Sequence, residues 1–152
     1  MNGPVDAALL GELLHAADAD GITKHVVGAV VPDGEGRVLL LHRAADDYLG
    51  GLWELPSGGV DADETLTEAL RREVAEETGL AVTEVETYLG HFDYLSRSGK
   101  KTRQFNFITA TTHESDTVRL TEHDAHLWAD RTEQERVSGA VRSVLATWRE
   151  KA

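Results

Sequence analysis

Apolar positions along the chain follow two rhythms. Near the start, Leu9, Leu10, Leu13, Leu14 and Ala17 recur at helical spacing, which predicts a short amphipathic helix ending before Asp20-Gly21. Residues 25–31 and 37–42 are β-branched or leucine-rich and flank Pro32-Asp33-Gly34-Glu35-Gly36, a pattern that predicts a hairpin. A short aromatic strand over 52–55 then leads into Pro56-Ser57-Gly58-Gly59, where the backbone is expected to bend freely as a loop. Residues 64–78 predict a helix stopped by Gly79. Two long strands, 83–95 and 102–113, form a second hairpin about Ser96-Arg97-Ser98-Gly99-Lys100. Beyond a polar loop through Glu122 comes a short strand over 127–129. Thr132 and Glu135 then suggest a capping box for a last helix, which places Val137, Ala140, Val141, Val144, Leu145 and Trp148 on one stripe.

No repeat or flexible linker divides this order of elements, so residues 1–22 are expected as an N-terminal helical extension and 23–152 as one mixed α/β domain. A chain of 152 residues is long enough to bury a full core without disulfides or a structural metal. Composition removes several alternatives. No apolar run approaches the length of a membrane span and the start lacks the regions of a signal peptide, so the expected location is cytoplasmic, with no membrane partner. The absence of cysteine excludes thiolate metal sites and a cysteine nucleophile. A net charge of −12 repels DNA over the surface as a whole and means that a polyanionic substrate needs a cation between itself and the protein.

The second predicted helix is where the charge becomes informative. At about 100° per residue, Leu66, Ala69, Leu70 and Val74 define an inward stripe; Glu73 and Glu77 fall inside it and Glu76 at its edge, with Glu68, Arg71 and Arg72 on the other side. Acids on a buried stripe repel one another and resist ionisation, and their convergence on one volume is the arrangement a divalent ion relieves. All-oxygen ligation favours Mg²⁺ or Mn²⁺ over zinc.

Gly58, Glu64, Arg72, Glu73, Val74, Glu76, Glu77, Gly79 and Leu80 occupy every fixed position of the pattern G-x5-E-x7-R-E-U-x-E-E-x-G-U, in which U is apolar. The chain thereby resembles the Nudix (MutT-like) hydrolases from about His25 to Trp148. The resemblance implies an α/β/α sandwich around a mixed β-sheet and hydrolysis of a diphosphate linkage in a nucleoside diphosphate-X or nucleoside triphosphate. It implies that Glu73 and Glu77 are the principal Mg²⁺ ligands, with Mn²⁺ as a possible substitute. Glu76 would be a further ligand or the base, and the backbone carbonyl of Ser57 would complete the shell. Glu64 and Arg72 would hold the carboxylates in place. Ser57 and Asp63 depart from the glycines common at those positions, which requires a local difference in the loop if either needs a positive φ.

Glu122, just before a predicted strand, is an alternative general base to Glu76, with His123 beside it as a packing residue. Trp53, Phe92, Tyr94 and Phe105 are candidates to stack a nucleobase against the claims of the core, with Tyr94 the best exposed candidate for substrate contact. The region about fifteen residues past Leu80 offers Tyr94, Leu95 and Ser96 but no proline, so the extra residue that marks ADP-ribose hydrolases within the family is missing. Arg97, Lys100, Lys101 and Arg103 form a local basic cluster at the second hairpin. The partners expected are a nucleotide or a nucleoside diphosphate derivative, and the N-terminal helix could pair two copies as a homodimer. The competing reading is a nucleotide-binding regulatory module of the same fold that does not hydrolyse. The family's isomerase branch, which uses a cysteine, is excluded by composition.

Overall fold

The structure, a computed structural model, describes residues 5–44, 51–112 and 118–151. The end of the strand expected to reach His113 lies outside them. The N-terminal helix α1 (Ala7–Ala19) is capped by Asp6, whose side chain accepts from the Leu9 amide at 3.0 Å. Its apolar face packs inward: Ala17 is fully buried and Leu10, Leu13 and Leu14 lie against the same core. The strands are β1 (Lys24–Val30), β2 (Val38–Arg43), β3 (Trp53–Glu54), β4 (Ser57–Gly59), β5 (Val82–Leu95), β6 (Lys101–Thr111) and β7 (His123–Ala129). Helices α2 (Leu66–Thr78) and α3 (Gly139–Lys151) complete the fold.

Four strands make a mixed sheet in the order β4-β1-β6-β5, with β1 and β6 parallel; the other three make an antiparallel sheet, β3-β2-β7. The expected first hairpin is therefore corrected. β1 and β2 belong to different sheets and meet only where Pro32 bridges Val38 and the Leu39 amide donates to the Val31 carbonyl at 3.0 Å. The reason lies in their composition. Each strand is apolar on both faces, and Val27, Ala29, Leu39 and Leu41 pack on the α1/α2 side while Val30, Val38 and Leu40 pack on the α3 side. A strand buried on both faces finds its best partner in a long central strand such as β6 rather than in its neighbour in sequence. Ser57–Gly59 is likewise a strand and not a free loop, since β4 pairs antiparallel with β1 through Val26, Val27 and Gly28. Ser57 sits in extended backbone, so serine is accommodated where the resemblance would suggest glycine.

Helix α2 begins at Leu66, two residues later than expected. Thr65 is its N-cap and forms a capping box with Glu68, while Gly79 ends it at φ 77°, a left-handed turn that suits glycine. Leu66, Ala69, Leu70 and Val74 are buried as the periodicity predicts. At the other end β7 starts at His123, earlier than the short strand expected. The expected Thr132/Glu135 capping box does not form. A 3₁₀ turn (Glu133–Arg136) intervenes, closed by reciprocal bonds between Asp130 and Glu133 at 2.9 Å, and α3 starts only at Gly139. Val141, Val144, Leu145 and Trp148 bury the inner face of α3 against the sheets, whereas Ala140 is exposed. The result is the sandwich of helices about strands expected from the resemblance. Among the described residues no helix is long and apolar enough to cross a membrane.

Candidate active site

Two features of the backbone bring the acids of α2 against β4. The helix packs on the sheet through Leu66, Leu70 and Val74, which places Glu73 and Glu77 one turn apart over Ser57 and Gly58. At Gly58 there is no side chain to spare: a Cβ there would overlap the Glu73 carboxylate, so glycine at this position is what admits the acid. Glu77 accepts a hydrogen bond from the Ser57 amide at 2.8 Å. That bond favours the carboxylate, yet burial dominates and, with the charges of Glu73, Glu54 and Glu122 nearby, pushes the Glu77 carboxyl up to about 8. Burial also raises Glu73, opposed by Arg72.

Arg72 does not stay on the far side of the helix. Its guanidinium reaches across to Glu64 (2.7 and 2.8 Å), Glu73 (2.8 Å), Glu76 (3.2 Å) and the Gly59 carbonyl (2.9 Å). A long side chain with five donors spans from one helix face to another in a way that its angular position alone does not reveal. Glu64, beside Arg72 and the Asp61 amide, is held down to about 2. Glu76 remains exposed and turned toward Arg72. The three glutamates thus do not converge: Glu73 and Glu77 turn in, Glu76 turns out, and among the described residues no three carboxylate or histidine side chains are grouped to hold a metal ion. Like charges separate, and two of the three glutamates, Glu73 and Glu76, take the Arg72 guanidinium.

The acids that remain do fit a divalent ion chemically. Glu77 is a buried carboxyl kept from ionising by burial and by three neighbouring acids, with one backbone amide as its partner, and a cation is the group that would reverse that balance.

Glu54 is a site residue that the sequence reading passed over. From β3 its carboxylate takes Arg43 Nε at 3.0 Å and His123 Nε2 at 2.7 Å while bearing electrostatically on Glu77. His123 is buried and its Nδ1 has no partner among the described residues, so this histidine is a strap between β7 and β3 and not a surface residue. The strap places Glu122, exposed at the start of β7, near enough to Glu77 to raise it. A visible signal was the charged residue inside Trp53-Glu54-Leu55, an acid in a strand otherwise apolar.

Next to the acids lies a cavity of about 490 Å³. Trp53, Phe92 and Tyr94 give it aromatic walls, and Glu54 and Ser57 belong both to it and to the acidic cluster. Phe92 and Tyr94 are neighbours, their ring centres 6.0 Å apart, and Tyr94 is 41% exposed. Phe105, expected as a possible stacking residue, is fully buried on the opposite face of β6 and belongs to the core. The basic cluster is also reduced: Arg103 is buried in a bridge to Asp93 (2.8 Å) and Asp20 (2.9 Å) and is not part of an exposed patch.

Comparison with known proteins agrees with this geometry. Over about half its length the chain matches curated bacterial proteins. It is 46% identical over 68 residues to an RNA pyrophosphohydrolase of Halorhodospira halophila, covering 45% of this chain and 35% of that protein. It is 37% identical over 60 residues to an 8-oxo-dGTP diphosphatase of Proteus vulgaris, covering 40% of this chain and 54% of that one. These matches span only a third to about half of the relatives' own length. Among solved structures, the MutT protein of Methanosarcina mazei superposes with a TM-score of 0.73 at 27% identity, covering 87% of this chain and 97% of that one. A MutT NUDIX hydrolase of Burkholderia pseudomallei gives 0.67 at 26% identity, covering 82% and 96%. The NUDIX domain family itself matches residues 23–144, from just before β1 into the middle of α3, and on that extent the chain belongs to the NUDIX family.

Proposed function

We propose that the chain is a Mg²⁺-dependent pyrophosphohydrolase that cleaves a diphosphate linkage in a nucleoside triphosphate or nucleoside diphosphate-X. The observation that carries this reading is the junction at Glu54 and Ser57. The same residues line the aromatic cavity and contact or bear upon Glu77, so a nucleoside in the cavity has its phosphates beside the acids. Relatives named RNA pyrophosphohydrolase, 8-oxo-dGTP diphosphatase and CTP pyrophosphohydrolase support the same class.

Glu73 and Glu77 would hold the ion, with the Ser57 carbonyl as a further ligand and Glu76, which faces Arg72 here, as either a further ligand or the base, and Mn²⁺ as a substitute. Its chemistry would be to offset phosphate charge and to make a water more acidic. The protein supplies position. Arg72 fixes Glu73 and, through Glu64 and the Gly59 carbonyl, ties α2 to the strand that precedes it. Glu122 or Glu76, both exposed carboxylates at the edge of the cluster, takes the proton from the attacking water as the P–O bond to the leaving group breaks. Trp53, Phe92 and Tyr94 hold the base away from the acids.

The test is a panel of nucleoside triphosphates and nucleoside diphosphate derivatives incubated with the protein and Mg²⁺, with products identified by mass. A mononucleotide with pyrophosphate, or with the released X-phosphate, supports the proposal. Tight binding with no turnover across the panel favours the regulatory module instead.

A further inference from the structure

The cavity has a floor as well as walls. Strand register places Phe92 opposite Gln104 and Tyr94 opposite Thr102 on one side of β6, and Val26 opposite Gln104 and Gly28 opposite Asn106 on the other. These residues share the α3-side face of the mixed sheet, under the aromatic walls. Two amides occupy it where apolar side chains would be expected: Gln104 is 7% exposed and Asn106 is fully buried. Gly28 makes the room, since a Cβ there would stand 2.5 Å from Gln104 Nε2 and 2.6 Å from Asn106 Oδ1.

The hydrogen bonds fix which way both amides face. Asn106 Nδ2 donates to the carbonyls of Gly90 and Gln104, both at 3.2 Å, and a carbonyl can only accept. Asn106 Oδ1 is therefore the acceptor, and it takes its hydrogen from Gln104 Nε2 at 2.9 Å. That leaves Gln104 Oε1 as the free end of a locked amide on a residue that lines the cavity, with no donor to it among the described residues. Gln104 is held at 7% exposure, yet its Oε1 is not sealed off, and an acceptor that stays open on a cavity-lining residue is a position that a ligand's N–H would fill.

We propose that Gln104 Oε1 reads the edge of the nucleobase, so that the cavity favours a base with an exocyclic amino group over its counterpart with a carbonyl in the same place. The amino group donates to Oε1; a carbonyl would set two acceptors against each other, and the lock through Asn106 keeps Gln104 from turning its amide to compensate. Gln104 is on this view a specificity-determining residue, and Asn106 a positioning residue behind it. The inference rests on the reading of the site as a nucleotide hydrolase and adds to it the class of base.

The experiment measures kcat and KM of the full chain with Mg²⁺ on two matched pairs, CTP against UTP and ATP against ITP. About tenfold or more in kcat/KM toward the amino member of a pair is expected, carried mainly by KM. Gln104→Met, close in shape but without the acceptor, should bring the paired substrates to within about twofold while its thermal melt shows it folded. Equal kcat/KM within both pairs for the unaltered protein, or a preference that survives Gln104→Met, overturns the proposal. Should Gln104→Met fail to fold, the unaltered protein's own comparison still decides. If no nucleotide is turned over, the hydrolase reading fails separately, and competition between CMP and UMP for the cavity then tests the base preference alone: tighter CMP supports it and equal affinity overturns it.

Discussion

The acid face of α2 and the cavity beside it are built by opposite means. Glu64, Arg72, Glu73, Glu76 and Glu77 come from one helix and its lead-in, so their relations follow from a fixed rise and turn per residue. The cavity draws on β1, β3, β5, β6 and the start of α3, from Lys24 to Val141, and no spacing connects them. The acid face is therefore demanding about each of its members, whereas the cavity is open to change wall by wall. A family can keep its chemistry while its choice of substrate drifts, because the two are encoded at different ranges along the chain.

The largest effect should come from the acid face. Glu77→Gln is expected to lower kcat by roughly 10²–10³-fold in steady-state assays. Its effect on stability has the opposite sign. A folded carboxyl raised to about 8 disfavours the fold as pH climbs from the ordinary carboxylate range toward 8, because the unfolded chain ionises first. Without divalent ions the glutamine variant should therefore melt higher than the unaltered protein at pH 8, and this advantage should vanish at pH 4, where the acid is protonated in both states. Added Mg²⁺ should raise the melting temperature of the unaltered protein only; an equal rise in the variant would remove Glu77 as a ligand.

Gly58→Ala comes next. Its Cβ would displace the Glu73 carboxylate, and a drop of about 10–100-fold in kcat is expected, as for loss of a supporting contact in a metal site. On the cavity side Tyr94→Ala should be milder, raising KM by about three- to tenfold with kcat nearly unchanged, since one half-exposed ring contributes about 0.5–1.5 kcal/mol. A larger fall in kcat than rise in KM would show that the two regions are not separable. The smallest effect belongs to Gly79→Ala, which forces an alanine into φ 77° and should cost about 1 kcal/mol in denaturant unfolding while leaving KM alone.

The same contrast of range explains what was legible in the sequence. The burial of Leu66, Ala69, Leu70 and Val74, the turn at Gly79 and the inward setting of Glu73 and Glu77 are consequences of local periodicity, and they could be read. The hairpin of β5 and β6 was legible because its turn chemistry is explicit. Where a strand finds its partner is a non-local matter. Nothing in residues 25–42 says that β1 will pair with β6 and β4 and leave β2 to another sheet. The reach of Arg72 was missed because angular position describes a Cα and not the end of a long side chain. Gln104 was missed for another reason. Thr102, Gln104 and Asn106 alternate with Arg103, Phe105 and Phe107, which reads as a strand with a polar outer face, but that face is buried and at Gln104 it borders the cavity.

Arg103 ties the beginning of the chain to this arrangement. Its guanidinium joins Asp20, at the end of α1, to Asp93, whose neighbour Tyr94 is a cavity wall. Loosening α1 would therefore strip one of the two counter-charges from a buried guanidinium whose other partner adjoins the wall, so the helix and the cavity share an electrostatic anchor.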